Sequence, residues 1–378
     1  MERGRKDEIS AHTNARQGGT YHAAVRWWLV AGLILVLGQV VIGGITRLTE
    51  SGLSITEWKP LSGAVYPGSE AEWQLEFDKY QDSPQYEMIF ADISMEDFKF
   101  IYFWEWFHRQ WARMMGLVFA IGFAFFSYKG WLNKALNKRL GVVVLLAALA
   151  ASFGWIMVAS GLIERPWVNA YKLTMHLSIA FCVFAYLLWT TFKVWQPNIA
   201  GFPHQKLKSP VRVLLIVLVI QLILGGIMSG AKAALVYPDW PDMAGSFLPD
   251  VLLKSSNWTV ENFVEYDQGP FLSALVQFLH RMTAYSLIII GLWVSIRSFS
   301  QSISNSFRWA NILLISMLGI QVILGIATVI NSVGEVPVDL GVAHQGGAVF
   351  LLGFALYAAY HLWPGQPLRP VEKVVDNG

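Results

Sequence analysis

Eight apolar segments, each long enough to cross a lipid bilayer, constrain this chain more than any other feature. They cover residues 26–45, 107–128, 140–160, 171–195, 211–229, 272–296, 309–330 and 340–363. A membrane-spanning helix needs about 20 predominantly apolar residues. Because the bilayer core offers no water to the backbone, segments of this kind must be helical. We therefore predict an all-α integral membrane protein with eight transmembrane helices.

The composition excludes a soluble globular protein. Charged residues make up 14% of the chain, whereas soluble domains carry roughly 25%. We expect the protein to contact membrane lipid and no nucleic acid. The first apolar segment follows a polar arm and is long enough to stay in the bilayer, so no cleavable signal peptide is expected. Cys182 is the only cysteine, which excludes a disulfide within the chain and a cysteine metal cluster.

Basic and acidic side chains separate onto opposite sides of the predicted spans. The N-terminal arm and the second–third and fourth–fifth connections are rich in lysine and arginine. The long connections before the second and sixth segments carry most of the acidic residues. Because basic loops stay in the cytoplasm, both termini are predicted to be cytoplasmic, in a bacterial inner membrane.

The two acidic outer connections are about 60 and 40 residues long, and loops of that length usually carry structure or function. They are rich in aromatic residues and proline, so we expect folded caps at the headgroup level. For most of these aromatic side chains an interfacial belt is the favoured interpretation. The residues that suggest caps are Trp58, Pro60, Tyr66, Trp73, Tyr237, Trp240 and Trp258.

The second half of the sequence repeats features of the first. Residues 38–45 (GQVVIGGI) resemble residues 220–227 (IQLILGGI), and two histidines recur in the same order, with offsets of 182, 172 and 168 positions. Four spans return the chain to the same side, so the halves have the same topology, as in parallel repeats. We predict two tandem four-helix bundles, with the paired glycines allowing close helix approach. The predicted boundaries are a cytoplasmic arm 1–25, bundles 26–200 and 201–364, and a cytoplasmic tail 365–378.

Four of the eight histidines lie within apolar segments, near their predicted outer ends: His108, His176, His280 and His344. Ionisable residues in membrane spans are rare and by default functional, although a single one can be a packing residue. Two imidazoles from facing helices of a bundle suit the ligation of a haem iron. Zinc or copper would need further ligands, which the second half does not place nearby. The remaining histidines, expected to be solvated or interfacial, are His12, His22, His204 and His361.

One group distinguishes the two predicted sites. Glu105 lies one helical turn before His108, whereas Gln277 holds the matching position before His280. A carboxylate beside a bound ring can accept a proton or stabilise a developing cation, and an amide cannot. We therefore expect Glu105 to be catalytic and the first site to be the reactive one. The alternative is a simple ion pair with Arg109 at i, i+4.

An arginine directly follows the first histidine of each pair, and the two are Arg109 and Arg281. The guanidinium fork suits carboxylates, so both are candidate partners of haem propionates. The alternative is that both side chains extend towards the membrane interface.

In these residues the chain resembles the haem A synthase family. The resemblance covers all eight segments and rests on Glu-x-x-His-Arg at 105–109, the loop ESGLSITEWKP at 50–60 and the duplicated histidines. It implies an oxidoreductase that converts the C8 methyl of haem O to a formyl group, through hydroxylated intermediates, giving haem A for cytochrome c oxidase. The 50–60 loop and the length of the first outer connection are similar to those of the alphaproteobacterial and mitochondrial branch. The outer loops lack the cysteine pair of other branches, which excludes a thiol relay.

Carried over by position, the resemblance implies that His108 and His176 flank the substrate haem O, with Glu105 as the catalytic carboxylate. It implies that His280 and His344 ligate a haem B cofactor on the periplasmic side. An electron donor, ferredoxin-like or quinol, is required. Haem O synthase, oxidase assembly factors and a second copy of the chain are candidate partners. If both histidines hold the substrate iron, either one must leave to admit oxygen, or the methyl is oxidised by electron removal and water addition; we favour the second route.

Two other classes of function stay open at this point. A di-haem b-type electron carrier would hold equal, permanent haems in both bundles, and it would not explain the difference between Glu105 and Gln277. A transporter with parallel repeats would be expected to bind its substrate near the bilayer midplane, between broken helices. The histidines instead lie near the predicted outer surface.

Overall fold

The structure, a computed structural model, describes residues 20–57, 62–162, 166–197, 199, 205–300 and 303–368. Eight of its helices are long and apolar enough to cross a membrane. They are α1 (Ala23–Leu48), α2 (Met95–Tyr128), α3 (Lys134–Gly161), α4 (Ala170–Trp195), α5 (Gln205–Gly230), α6 (Phe271–Phe299), α7 (Asn305–Ile330) and α8 (Val338–Leu362). In this part of the chain the only β-structure is an isolated bridge between Met243 and Ser246. The prediction of an all-α membrane protein with eight spans is confirmed.

Helix α2 begins well before the apolar segment that predicted it. The Ser94 side chain caps the helix by accepting a hydrogen bond from the backbone N–H of Asp97, and Glu96 and Asp97 occupy the first turn. Acidic side chains there interact favourably with the positive end of the helix dipole. Because the first turn is charged, the apolar pattern alone did not indicate where the helix begins. Glu105 and His108 therefore lie inside a continuous helix, although the predicted segment began only at residue 107.

Helix packing follows the same plan in each half of the chain. Helix α1 packs against α2 and α4, and α3 packs against α4; in the same way α5 packs against α6 and α8, and α7 against α8. Contacts of α4 with α5, and of α1 and α4 with α8, join the halves. One relation differs. Helices α6 and α7 pack together, whereas α2 and α3 hardly touch within the described residues.

The first outer connection is folded, as the sequence predicts. It contains helices Glu70–Gln81 and Pro84–Met88 and short 3-10 turns at Ser51–Leu53 and Ser62–Ala64. Trp73 and Tyr80 are buried against Phe98, Ile101 and Tyr102 at the outer end of α2. A capping box between Ser69 and Glu72 fixes the start of the longer helix. The connection therefore has a small core of its own.

The second outer connection has shorter elements: Ala233–Leu235, Asp250–Leu253, Ser255–Asn257 and Val260–Val264. Its Trp240 and Trp258 are about half exposed, at 43% and 52%. Here the aromatic side chains stay accessible, as expected of an interfacial belt. Several residues singled out from the sequence lie outside the described residues: Trp58, Pro60, His12, His204 and most of both predicted cytoplasmic termini.

Two of the four remaining histidines can be checked against their predicted environment. His22 is exposed, caps α1 and stacks on Trp131, with ring centroids 3.8 Å apart. The expectation of a solvated or interfacial His361 is wrong, because this side chain is buried in the last turn of α8. Its Nδ1 hydrogen-bonds the backbone oxygen of Tyr357. A histidine near a helix end faces the core whenever a neighbouring helix covers that face.

Candidate functional site

His280 on α6 and His344 on α8 face each other inside the second half. Their ring centroids are 6.3 Å apart, with the ring planes at 74°. A metal bound by two imidazole nitrogens, each at about 2 Å, leaves the ring centroids roughly 6 Å apart. Nδ1 of His280 is buried and has no hydrogen-bond partner among the described residues. The spacing of the two rings fits one iron held between them.

His108 on α2 and His176 on α4 occupy the corresponding positions in the first half. The Gln39 amide nitrogen is 3.3 Å and 3.2 Å from the two ring nitrogens of His108. Nδ1 of His176 is 2.8 Å from the backbone oxygen of Ala150. A hydrogen bond from Nδ1 to a carbonyl fixes the ring orientation and leaves Nε2 as the ligand atom.

Each of the four histidine rings lies against a glycine of the spanning helix that precedes it in the chain. A Cβ built on Gly43, Gly154, Gly225 or Gly325 would lie 2.9, 3.0, 3.4 or 3.1 Å from Cε1 of the histidine that it faces. At all but Gly225 this distance is too short for an ordinary contact. The missing side chain therefore makes room for the ring. In chain order the pairs are Gly43 with His108, Gly154 with His176, Gly225 with His280, and Gly325 with His344.

At Gly43 and Gly225, the residue one helical turn earlier is a glutamine whose amide lies beside the same histidine ring. Gln39 precedes Gly43 by four positions and contacts His108, as described above. Gln221, four positions before Gly225, places its amide nitrogen 3.2 Å from Nε2 of His280. Its Oε1 also accepts a hydrogen bond from the Thr283 hydroxyl, which holds the amide in place. In both halves a glutamine and a glycine therefore face the same histidine ring, because residues four positions apart lie on one side of a helix.

A cavity of about 490 Å³ lies between α5, α6, α7 and α8, within the roughly 300–1,000 Å³ of typical ligand and cofactor pockets. Both histidines of the second pair line it, together with Gln221, Gly225, Gln321 and Gly325. Among the described residues, no three His, Cys, Asp or Glu side chains cluster to hold a metal ion. A porphyrin supplies four ligands of its own, so two imidazoles suffice for it.

Glu105 is buried and its carboxylate is turned to the first outer connection. Oε2 accepts hydrogen bonds from the Ser54 hydroxyl and the Ile55 backbone N–H, each at 2.8 Å. Oε1 accepts from the Arg109 guanidinium at 2.5 Å, which forms an ion pair. Arg109 also donates to the backbone oxygen of Ile55. The ion pair with Arg109, which was the alternative to a catalytic role, is therefore present, and together the two side chains anchor the loop on α2.

Gln277 and Arg281 anchor the second outer connection in the same way. The Gln277 amide donates to the backbone oxygen of Tyr237 at 2.7 Å. Arg281 donates from both terminal nitrogens to loop carbonyls, of which Asp239 at 2.6 Å and Asp242 at 2.7 Å are the nearest. The first loop thus offers donors to a carboxylate, and the second offers carbonyls to an amide. This gives the difference between Glu105 and Gln277 a structural explanation that the sequence did not supply.

The structure brings together most of the residues singled out from the sequence, and it adds others. Gly43 and Gly225 were assigned to helix contact alone, but they also face histidine rings. Gly154 and Gly325 were missed; a search for glycines repeating near the offset of the histidines would have found them. Gln39 and Gln221 belong to the repeated stretch, yet only the structure shows that they contact the rings.

Comparisons with known proteins agree with this arrangement. The model of the COX15-CtaA family, described as cytochrome oxidase assembly protein, matches residues 26–356. The chain is 39% identical over 342 residues to a heme A synthase of Parvibaculum lavamentivorans, covering 90% of this chain and 95% of that protein. It is 40% identical over 347 residues to a heme A synthase of Bradyrhizobium sp., covering 90% and 92%. A heme A synthase of Cereibacter sphaeroides is 38% identical over 357 residues, covering 91% and 89%. With its duplicated histidine pairs and a match across nearly all of its length, the chain belongs to the COX15-CtaA family of cytochrome oxidase assembly proteins.

Proposed function

We propose that this protein is a haem A synthase, an oxidoreductase of the membrane that converts haem O to haem A for cytochrome c oxidase. The observation that carries the proposal is the facing pair His280 and His344, together with the glycine that lies against each of the four histidine rings in both halves. Membership of the family and the names of relatives that are 38–40% identical support the same activity. The alternative, a di-haem electron carrier, finds no support among these relatives.

We assign the substrate to His108 and His176 and a haem B cofactor to His280 and His344. The contrast in helix packing supports this assignment. Helices α2 and α3 hardly touch within the described residues, whereas α6 and α7 pack together beside the second cavity. We take the weaker packing as the route by which a substrate reaches the first site. A substrate must enter and leave, and a cofactor must stay. A haem bound between His280 and His344 supplies a one-electron carrier.

The residues around each ring hold it in place for ligation. Gln221 is fixed by the Thr283 hydroxyl and contacts His280, and Gln39 contacts His108 in the same manner. The Ala150 carbonyl orients His176. These contacts fix the orientation of each ring, and a carbonyl that accepts from Nδ1, as Ala150 does for His176, also raises the basicity of the other ring nitrogen.

We propose that Glu105 is required for oxidation of the methyl group. Its contacts support a positioning role, because it holds Arg109 and the Ser54–Ile55 segment beside the first site. Direct stabilisation of a developing cation is the second role open to it, since a buried carboxylate is effective in a low-dielectric site. Product formation in Glu105→Gln and Ser54→Ala variants separates these roles.

We further propose that the termini are cytoplasmic and that both histidine pairs lie towards the periplasm of a bacterial inner membrane. The lysine- and arginine-rich connections support this orientation. The histidines lie in the first halves of α2, α4, α6 and α8, the halves nearest the acidic outer connections.

The proposed reaction requires an electron donor, ferredoxin-like or quinol. It also requires transfer of haem O from the synthase that makes it. Two tandem bundles, 26–200 and 201–364, are the proposed architecture.

Extraction and mass analysis of the haems in the purified protein tests the function. A haem A synthase should yield haem B together with haem O, its hydroxylated forms or haem A. Haem B alone in both sites would contradict the proposal and favour the electron carrier. A protein without haem would contradict both.

A further inference from the structure

The cavity between His280 and His344 has an apolar end and a charged end. The apolar end is lined by four leucines that lie about two helical turns further into the membrane than the histidines. These are Leu218, Leu287, Leu318 and Leu351. The opposite end is lined by Arg47, Glu50 and Lys232, which lie at the outer connections. A haem is an apolar ring with two carboxylates on one edge. Its polarity matches the cavity when the carboxylates point to the charged end.

Arg281 was predicted to bind a propionate, but its terminal nitrogens have other partners. Nη1 donates to the backbone oxygens of Pro241 and Asp242, and Nη2 to those of Tyr237 and Asp239. Two guanidinium nitrogens held by four carbonyls leave little capacity for a carboxylate. Other cations at the cavity mouth are better placed.

Arg47 lies at the end of α1 with 11% of its side chain exposed, and it retains a donor without a hydrogen-bond partner. Its Nη2 donates to the backbone oxygen of Ser229 at 2.9 Å, and its Nη1 lies 3.6 Å from the Glu50 carboxylate. Nε is buried and has no hydrogen-bond partner among the described residues. A buried N–H of a charged group is costly to leave unpaired, and a carboxylate would satisfy it.

Lys232 supplies the second cation and comes from the other half of the chain. Its Nζ lies 2.5 Å from Glu50 Oε1, and its side chain is about one third exposed. Glu50 and Lys232 are 182 positions apart, the same offset as Gln39 and Gln221. Both have a left-handed backbone, with φ of 57° and 48°, directly before a 3-10 turn. Equivalent residues of the two halves thus form an ion pair at the mouth of the cavity.

We propose that Arg47 and Lys232 bind the propionate carboxylates of the haem held by His280 and His344, and that Glu50 tethers the two cations to each other. The inference rests on the proposed haem at this site. It makes the second site a product of both halves, because Arg47 belongs to α1 and the histidines to α6 and α8. A chain lacking the first half would bind this haem without one of its carboxylate partners.

The midpoint potential of the second-site haem in the full-length holoprotein tests the proposal. Removing a cation beside a haem disfavours its reduced form, and removing an anion favours it. Lys232→Gln and Arg47→Gln should therefore lower the potential, Glu50→Gln should raise it, and Lys232→Arg should restore it. Lys254→Gln is the matched control, because Lys254 is an exposed cation of the same outer connection that does not line the cavity.

Haem release provides a second readout, and it does not depend on activity. Transfer of haem to apomyoglobin should be about tenfold faster from Lys232→Gln than from the wild type, as expected for the loss of one charge-assisted hydrogen bond. After reconstitution with haemin dimethyl ester, which lacks free carboxylates, the difference should disappear. Because Arg47 also contacts the backbone of α5, Lys232 carries the test if Arg47→Gln fails to fold.

Potentials and release rates equal to those of Lys254→Gln would overturn the inference while leaving the proposed function intact. An equal effect of Lys232→Gln on haemin and on its dimethyl ester would also overturn it. A purified protein without haem between His280 and His344 would instead refute the proposed cofactor, and this inference with it.

Discussion

Gly325 lies directly against the imidazole of His344: a Cβ built on the glycine would be 3.1 Å from Cε1 of the ring. Gly154 has the same relation to His176, at 3.0 Å. The two histidines of α4 and α8 thus depend on a glycine of the helix that precedes each.

Gly325→Ala should displace the His344 ring and reduce second-site haem, because a contact of 3.1 Å forces the ring to move. The measurement is the ratio of haem B to protein after purification. Gly319→Ala, in the same helix, is the matched control, since a Cβ there meets nothing within 4 Å. Equal haem content in both variants would contradict the role of Gly325.

Gly43→Ala and Gly225→Ala should differ in severity although the two positions are equivalent in the repeat. The added Cβ would lie 2.9 Å from the His108 ring but 3.4 Å from the His280 ring, an ordinary contact. We expect haem O binding at the first site to fall strongly in the first variant and haem B to stay near the wild-type level in the second. Titration with haem O and the haem B content measure the two effects.

Glu105→Gln should leave haem in both sites and abolish formation of the formyl group, measured by mass analysis of the haems. Ser54→Ala serves as the comparison, because it removes a hydrogen bond to Oε2 and keeps the carboxylate. Loss of this hydrogen bond should lower the free energy of unfolding by about 1–3 kcal/mol. Full product formation in Ser54→Ala would indicate a direct role of the charge, and an equal loss in both variants a positioning role. Normal product formation in Glu105→Gln would remove the residue from the reaction.

The first outer connection should become less stable at acidic pH. Hydrogen bonds from the backbone N–H groups of Gly68 and Ser69 hold the pKa of the Glu72 carboxyl below its ordinary value. A lowered pKa in the folded state contributes stability above the unfolded pKa of about 4.3, which is lost as the pH falls through the folded value. Limited proteolysis should therefore cut this connection faster below about pH 4. Glu72→Gln should flatten that dependence, and an unchanged profile would contradict the assignment.

The eight helices and the choice of the four intramembrane histidines as site residues could be predicted from the sequence. Both rest on local signals, which are the length of an apolar segment and an ionisable residue within it. The glycines were harder to interpret. Gly43 and Gly44 are adjacent, yet a Cβ on Gly43 would meet the His108 ring and one on Gly44 would meet Gln345 of α8. Which neighbour covers a given face of a helix depends on packing between distant segments, and helical periodicity does not report it.

The orientation of Glu105 could not be predicted for a related reason. Its spacing from His108 places both on one side of α2, but the carboxylate finds its donors in the Ser54–Ile55 segment, some 50 residues earlier. The early start of α2 extends the helix past this point, so that the loop packs beside it. A pattern of residue types does not indicate where the backbone N–H groups of a folded loop will lie.

Haem identity in variants that retain one histidine pair tests the central claim most directly. Loss of the second pair, in His280→Ala with His344→Ala, should leave a protein that binds only haem O or its oxidised forms. Loss of the first pair, in His108→Ala with His176→Ala, should leave one haem B per chain with the low-spin spectrum of two axial imidazoles. Haem B in the first site alone, or a high-spin haem in the second, would contradict the assignment of one reactive and one permanent haem.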